Sequence, residues 1–313
     1  MDVLLSLAFD NISSSDLSKI RKGLRQIEGI LAQICLSSPA MQSPSKRRAS
    51  LLQPPTATPV PKSKTLADLP SDPAFLTFFH LQDTFSHNLC SRLITTLERL
   101  LGHPTSTTTT TLLHATLTLL HGTLLLHPPS RTLFSTESAM NLLLDLLDVR
   151  SAPSIQSAAL AVLSAALLAS PANARAFDSA TDGIATVASL YKAPSTDAFV
   201  RANIEDLLAA YMMPEAAQRQ HATPASSLRA APRSEPGSKV GGAARADLLA
   251  VGRRPSTVGD GPVGESSLWD GDASAASVTR SGGEKKRLLG RYMGNVDEVL
   301  EAARVVGLVD SAG

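Results

Sequence analysis

Apolar residues recur every three or four positions in separate parts of the chain, a period that predicts α-helices. The first such pattern follows Ser13–Asp16, whose side chains can cap the free backbone N–H groups of a helix start. Lysines and arginines stand off the apolar stripe. We therefore predict that residues 1–37 form an N-terminal amphipathic helix that packs on a core, with a short coiled coil as the alternative. The stripe consists of Leu17, Ile20, Leu24, Ile27, Leu31 and Ile34.

A broader apolar face begins near residue 71, where Pro73 suits a first helical turn. Phenylalanines and leucines at helical spacing continue to residue 100, as one long helix or two. We expect the threonine-rich stretch HPTSTTTTT to form a loop. A further helix, Thr111–Leu126, is then predicted to end at His127 and the two prolines that follow.

Two similar stretches follow in tandem, with a period of about 42–44 residues that is typical of armadillo and HEAT repeats. In this alignment Pro129 corresponds to Pro171 and Phe134 to Phe177. Each unit contains two predicted helices. Residues 71–214 are therefore predicted to form an armadillo/HEAT-like helical solenoid. The aligned helices are Met140–Leu147 with Ile184–Tyr191 and Ile155–Leu163 with Phe199–Leu207.

Two stretches lack this apolar pattern. Residues 38–70 are rich in Pro, Ser and Lys, and residues 215–280 in Pro, Gly, Ser and Ala. Because such sequences bury too little apolar surface to offset the entropy of ordering, we predict two disordered linkers. The apolar pattern returns over residues 281–308 as a C-terminal helix. Gly290 and Gly294 weaken this helix, so we expect it to dock on the solenoid.

The composition narrows the functional classes. The chain has 29 Lys and Arg against 28 Asp and Glu, which argues against a nucleic-acid partner. Cys35 and Cys90 lie within amphipathic patterns, so we interpret them as core residues of a protein from a reducing compartment. The start of the chain lacks a signal-peptide pattern, and no apolar run reaches the roughly 20 residues of a membrane span. We expect a cytoplasmic protein without a membrane partner.

Motifs for catalysis and cofactor binding are missing from the sequence. It contains neither a G-x-x-x-x-G-K-[ST] phosphate loop nor a G-x-S-x-G nucleophile elbow. SGGEKKR resembles the signature motif of ABC-type ATPases but lacks the Walker loop that this motif serves. Cysteine phosphatases need an arginine six positions after the cysteine, where Cys35 has Met41 and Cys90 has Thr96. Histidines spaced by seven lie too far apart to share one metal ion. The predictions are therefore no enzyme, no cofactor and no metal.

Five long segments of the chain carry a family resemblance. They are, in order, SSSDLSKIRKGLRQIEGILAQIC, DPAFLTFFHLQD, LLLHPPSRTLFSTESAMNLLLDLLD, PSIQSAAL and LLGRYMGNVDEVLEAAR. These segments resemble the fungal cell division control protein 14 family of the septation initiation network. The phosphatase of similar name is a different protein, and the missing Cys-x5-Arg motif agrees with this. The resemblance implies an accessory subunit of a germinal-centre-class protein kinase that acts at the spindle pole body in septum formation and cytokinesis.

The predicted function is thus a non-catalytic scaffold that binds this kinase. A passive structural anchor at a spindle pole body or cortical complex is the alternative, and the oligomeric state stays open. As exposed contact positions we predict Asn141, Gln156, Arg201 and Asn203, polar residues among apolar repeat positions. Their alternative role is to cap or solvate helices.

Two serines are candidate phosphorylation sites. KRRAS ends at Ser50 and GRRPS at Ser256, and both lie in predicted linkers. Arginines two and three positions before a serine suit the acidic pocket of a kinase, and a phosphate would add about −1.5 to −2 charge there. An unmodified polar linker is the alternative.

Overall fold

The computed structural model describes residues 1–36, 64–65, 67–213, 215, 279–298 and 301. These residues form helices joined by turns and loops, and no strand occurs among them. The all-α prediction is confirmed for these residues, whereas the solenoid architecture stays a prediction. The helices are α1 (Asp2–Ile12), α2 (Leu17–Cys35), α3 (Pro73–Gln82), α4 (Leu89–Leu101), α5 (Thr107–Leu126), α6 (Glu137–Asp145), α7 (Pro153–Leu167), α8 (Pro171–Arg175), α9 (Gly183–Lys192), α10 (Ala198–Met212) and α11 (Gly282–Gly290).

The N-terminal part contains two helices, where the sequence predicted one over residues 1–37. α1 ends at Ile12, and α2 begins after Asp16, whose carboxylate accepts the Ser18 N–H at 2.8 Å. The two helices pack closely at Gly23, since a Cβ there would lie 2.8 Å from the Ala8 carbonyl oxygen. The Ser13–Asp16 segment therefore separates α1 from α2 and also provides the cap predicted for the start of α2.

Part of the predicted linker 38–70 belongs to the fold. Lys64 pairs with the Asp72 carboxylate and donates to the Ile34 carbonyl at 3.0 Å. Leu69 is buried. Residues 37–63 and 66 lie outside the described residues. The linker prediction is thus wrong for its last residues, because a charged pair and one leucine hold them against α2 and α3.

The threonine-rich stretch was predicted to be a loop, which is correct for residues 103–106, but Thr107–Thr111 form the start of α5. Ser106 caps the helix by accepting the Thr109 N–H at 3.1 Å. The hydroxyls of Thr110 and Thr111 donate to the carbonyls four residues earlier, at 3.0 and 2.8 Å. Because these side chains bond back to their own helix, a residue type with modest helix propensity is accommodated here.

Long helices pack side by side in the order α4, α5, α7, α10 and α11, and α2 packs against α5 as well. The two tandem units contain the same order of elements: a helical turn that opens with proline, a short helix and a long helix. Phe134 and Phe177, which the sequence aligned, are both fully buried. The shared order places α7 and α10 as equivalent helices beside each other.

The C-terminal segment differs from the single helix predicted over residues 281–308. α11 ends at Gly290, turns follow through Asn295, and helix resumes at Val296. Leu289 and Met293 are buried, and α11 packs on α10. Buried residues lie on both sides of the break at Gly290, so the segment after α11 also contributes to the core.

A buried group of charged residues, here called the ion cluster, joins the C-terminal segment to the tandem units. Glu215 lies 2.6 Å from the Arg175 guanidinium and 3.3 Å from the Lys285 ammonium. It also accepts the Arg280 N–H at 3.0 Å. Asp178 pairs with Arg175 and with Arg280, at 3.2 and 2.6 Å. Both ends of the predicted linker 215–280 are therefore ordered, contrary to expectation, while residues 216–278 lie outside the described part.

Candidate partner-binding surface

Helix α5 carries an accessible stripe along its whole length. The helix packs between α4 and α7 and against α2, so only one side reaches solvent. The residues of that side are spaced by three and four, as one helix face requires. They form the floor shared by two grooves. The stripe consists of Thr111, His114, Thr118, His121 and Leu125.

The first groove, here the α5–α7–α10 groove, has a volume of about 520 Å³. Ser154 and Ser157 of α7 line one wall, and Phe199 and Asn203 of α10 line the other. Phe199 is 68% exposed, although its repeat equivalent Ile155 is buried. A large apolar ring held in solvent at the mouth of a groove has the character of an interface anchor.

Local structure fixes the position of Phe199. Asp197 caps α10 by accepting the Phe199 N–H at 2.8 Å, which sets the first turn of that helix. The next residue, Val200, is fully buried and anchors the turn from the other side. The aromatic ring therefore projects from a rigid helix start.

The floor of this groove is polar but largely uncharged. Burial lowers the pKa of His121 below its ordinary value, so this imidazole is neutral at pH 7. Thr118 contributes a hydroxyl, and its hydrogen bond to the His114 carbonyl at 2.9 Å holds the side chain on the helix. Among the described residues no three potential ligands come together to hold a metal ion. The groove can thus offer hydrogen bonds and apolar contact to a partner.

The second groove, here the α2–α5 groove, consists of two adjoining cavities of about 330 and 430 Å³. Glu28 and Thr118 line both cavities, which makes the groove continuous. Arg21 and Arg25 line one end. The other end is apolar and includes Cys35, whose thiol has a raised pKa because it is partly desolvated. The groove therefore changes along its length from basic to apolar.

The four predicted contact residues do not form one surface. Asn203 lies in the α5–α7–α10 groove, while Asn141 lies in a separate groove of about 340 Å³ between α6 and α9, beside Asp145. Arg201 donates to the Ala193 carbonyl at 2.9 Å and ties α10 to the loop before it.

Gln156 is only 3% exposed, contrary to the prediction of a contact position. Its side-chain amide donates to the Asp148 carbonyl at 2.8 Å. A polar residue among apolar positions can either face solvent or satisfy a buried backbone group, and the sequence pattern does not distinguish the two. The candidate phosphorylation sites Ser50 and Ser256 lie outside the described residues.

The sequence pattern missed Phe199 and the stripe on α5. Phe199 was aligned with a buried repeat position, and the spacing of His114 and His121 was considered only for metal binding. That seven-residue spacing was nevertheless the available signal, since it marks one face over two turns. Whether that face is a binding surface depends on which side of α5 the neighbouring helices leave exposed to solvent.

None of the described helices has the length and apolar character needed to cross a membrane. The chain matches the model of the family described as Cell division control protein 14, SIN component, over residues 1–305. No curated protein and no solved structure matches the chain. The family match includes every described residue, and with them both grooves.

Proposed function

Because the chain belongs to the cell division control protein 14 family, a component of the septation initiation network in cell division, we propose that it binds a germinal-centre-class protein kinase as a non-catalytic scaffold and accessory subunit. The family match over residues 1–305 carries this proposal. The proposed role is to support septum formation and cytokinesis from the cytoplasm, with recruitment to the spindle pole body.

The α5–α7–α10 groove is the proposed kinase contact. It combines an exposed aromatic anchor, Phe199, with hydroxyl and amide groups at Ser154, Ser157 and Asn203. This mixture of one apolar anchor and adaptable polar groups is typical of protein interfaces. Neighbouring helices hold the groove, so binding costs little ordering of the scaffold itself.

The two thiols do not suit nucleophilic catalysis. Cys90 is fully buried, and desolvation raises the pKa of its thiol to about 12. Desolvation also raises the pKa of Cys35. A thiol nucleophile needs the opposite, a lowered pKa that populates the thiolate.

A matched pair of aromatic variants tests the contact. Phe199→Ala is expected to weaken binding of the purified kinase at least about tenfold, since anchors of this kind contribute above about 1.4 kcal/mol. Phe85, which is 77% exposed but lies before α4, is the control, and Phe85→Ala should leave binding unchanged. Isothermal titration calorimetry measures both. Equal affinities for wild type and Phe199→Ala would refute this groove as the contact.

A kinase assay separates an accessory subunit from a passive anchor. A scaffold activates the kinase only if it binds the active state more tightly than the inactive state. The expected result is higher kinase activity in the complex than in the kinase alone. If activity is the same while both proteins still reach the spindle pole body together, the passive anchor is the better description.

A further inference from the structure

The α2–α5 groove has the dimensions of a docked helix. It follows α2 from Arg21 to Leu36, a distance of about 22 Å at 1.5 Å per residue. A helix of four turns has this length. The floor is formed by α5, where Leu119 is half-buried and lines both cavities.

The basic end of the groove carries two guanidinium groups. Arg21 and Arg25 stand one helical turn apart and are exposed. In the described part of the chain neither makes an ion pair. The charged or titratable groups that face them are Glu28, one turn beyond Arg25, and His114 across the groove. The end as a whole is positive.

The apolar end offers a continuous hydrophobic surface. Leu31, Ala32 and Leu36 of α2 and the segment after it face Leu125 and Leu126 of α5. Leu125 is 39% exposed although it lies in the last turn of a long packed helix. An exposed leucine that continues the apolar walls of a groove marks a site that another apolar surface can cover.

We propose that this groove binds an amphipathic helix of the kinase partner, with acidic side chains against Arg21 and Arg25 and apolar side chains at the Cys35 end. The identity of the partner rests on the proposed function, whereas the chemistry of the ligand follows from the groove alone. Charge complementarity at one end and apolar burial at the other fix the direction of the bound helix.

Other occupants fit the groove less well. Residues 37–63, which leave α2 next to the groove, contain four basic residues (Lys46, Arg47, Arg48 and Lys62) and no acid, so they repel the basic end. Residues 216–278 do contain acids, including Glu265 and Asp270 on either side of Trp269. Binding in cis by that stretch is therefore an explicit outcome of the test.

Two synthetic peptides probe the groove directly, with the full chain and without the kinase. Both peptides form amphipathic helices of about 16 residues with the same leucine face. One peptide carries glutamates beside that face, and the other carries lysines. Fluorescence anisotropy should show at least about tenfold tighter binding of the glutamate peptide. The double variant Arg21→Glu, Arg25→Glu should reverse this preference.

The control variant makes the same change in net charge at two positions outside the groove. Lys19 and Lys22 lie on α2, are exposed and do not line either cavity. Lys19→Glu with Lys22→Glu should therefore leave the preference intact. Equal binding of the two peptides to wild type, or equal effects of the two double variants, would overturn the proposal. So would a gain in peptide affinity when residues 217–278 are removed, because the groove would then be filled in cis.

Thiol footprinting with the kinase itself completes the test. Cys35 lines the groove and is partly accessible, whereas Cys90 is fully buried and serves as the internal reference. Bound kinase should slow alkylation of Cys35 by N-ethylmaleimide at least about tenfold.

Kinase that binds and leaves Cys35 unprotected overturns the inference but not the proposed function. Kinase that fails to bind refutes the proposed function, and the peptide preference then decides the inference. Protection that grows with the concentration of the chain alone would assign the groove to a second copy.

Discussion

The ends of α7 and α10, which are equivalent helices of the two tandem units, are closed in different ways. At the end of α7, the neutral Asn173 donates to the Ala166 carbonyl at 2.6 Å and to the Arg131 carbonyl at 2.7 Å, and the Arg131 guanidinium donates to the Leu168 carbonyl at 2.9 Å. At the end of α10, the charged Lys285 donates to the carbonyls of Tyr211 and Met213, at 2.8 and 3.1 Å. All three side chains satisfy carbonyls that a helix end leaves free.

The difference between the two ends lies in where the capping residue comes from. Asn173 follows α7 directly, whereas Lys285 returns to α10 from the far side of residues 216–278. A buried ammonium group is costly unless an acid pairs with it. Glu215 supplies that acid and also binds Arg175 and the backbone of Arg280. At the end of α10 the buried ammonium group is thus part of an ion cluster, and this cluster holds the C-terminal segment in place.

Removal of the shared acid should have the largest effect on this comparison. Glu215→Ala leaves Lys285 and Arg175 without their common partner, and Lys285 stays buried. Breaking a buried pair in this way costs about 3–5 kcal/mol in the free energy of unfolding. Urea denaturation followed by circular dichroism measures it. Glu98→Ala, at an exposed position of α4, is the control and should change stability by less than about 0.5 kcal/mol. A loss of similar size in both variants would mean that the ion cluster contributes nothing specific.

The neutral cap should matter less. Asn173→Ala removes two hydrogen bonds to buried carbonyls, for an expected loss of about 2 kcal/mol. The same denaturation experiment measures it. If Asn173→Ala cost more than Glu215→Ala, burial of charge would not be the feature that distinguishes the two ends.

Shortening the stretch between the ordered ends should raise stability slightly. Glu215 and Arg280 are hydrogen-bonded to each other, so a short link can join them. Each halving of a loop removes about 0.6 kcal/mol of closure entropy, and replacement of residues 217–278 by about eight Gly and Ser residues amounts to roughly three halvings. We expect a gain of up to about 2 kcal/mol, measured by urea denaturation. A clear loss would show that residues 217–278 stabilise the fold directly.

The smallest effect should be a pH dependence from the start of the first tandem unit. His127 is buried, and desolvation lowers its pKa, although the Asp83 carboxylate 3.1 Å away acts in the opposite direction. The unfolded chain then binds more protons as the pH falls from about 6.5 toward the lower folded-state pKa, so stability decreases over that window.

His127→Gln should flatten this decrease between about pH 7.5 and 5.5, as measured by thermal unfolding. Burial also lowers the pKa of His121, so this residue should maintain part of the pH dependence of stability in the His127→Gln variant. An unchanged slope in His127→Gln would mean that His127 does not titrate differently in the folded protein.

Local patterns were enough to predict most helices. The stripe from Leu17 to Ile34 and the tandem period correspond to observed elements because helix periodicity depends only on near neighbours in the chain. The predictions of linkers were wrong where a contact between residues distant in the chain determines the local structure. Lys64, Glu215 and Arg280 belong to sequence of linker composition, yet ion pairs or hydrogen bonds within the fold hold them. Their ion-pair partners are Asp72, Arg175 and Asp178.

The candidate surface was less predictable than the fold. Periodicity and the order of long motifs were sufficient to predict the helical class, the tandem period and the family. Helix packing, in contrast, was needed to show that Gln156 is buried and that Phe199 is exposed although its repeat equivalent Ile155 is not. It was also needed to show that Arg21 and Arg25 line a groove. The physical reason is that exposure depends on which helices pack against a face, and the period of a single helix carries no information about its neighbours.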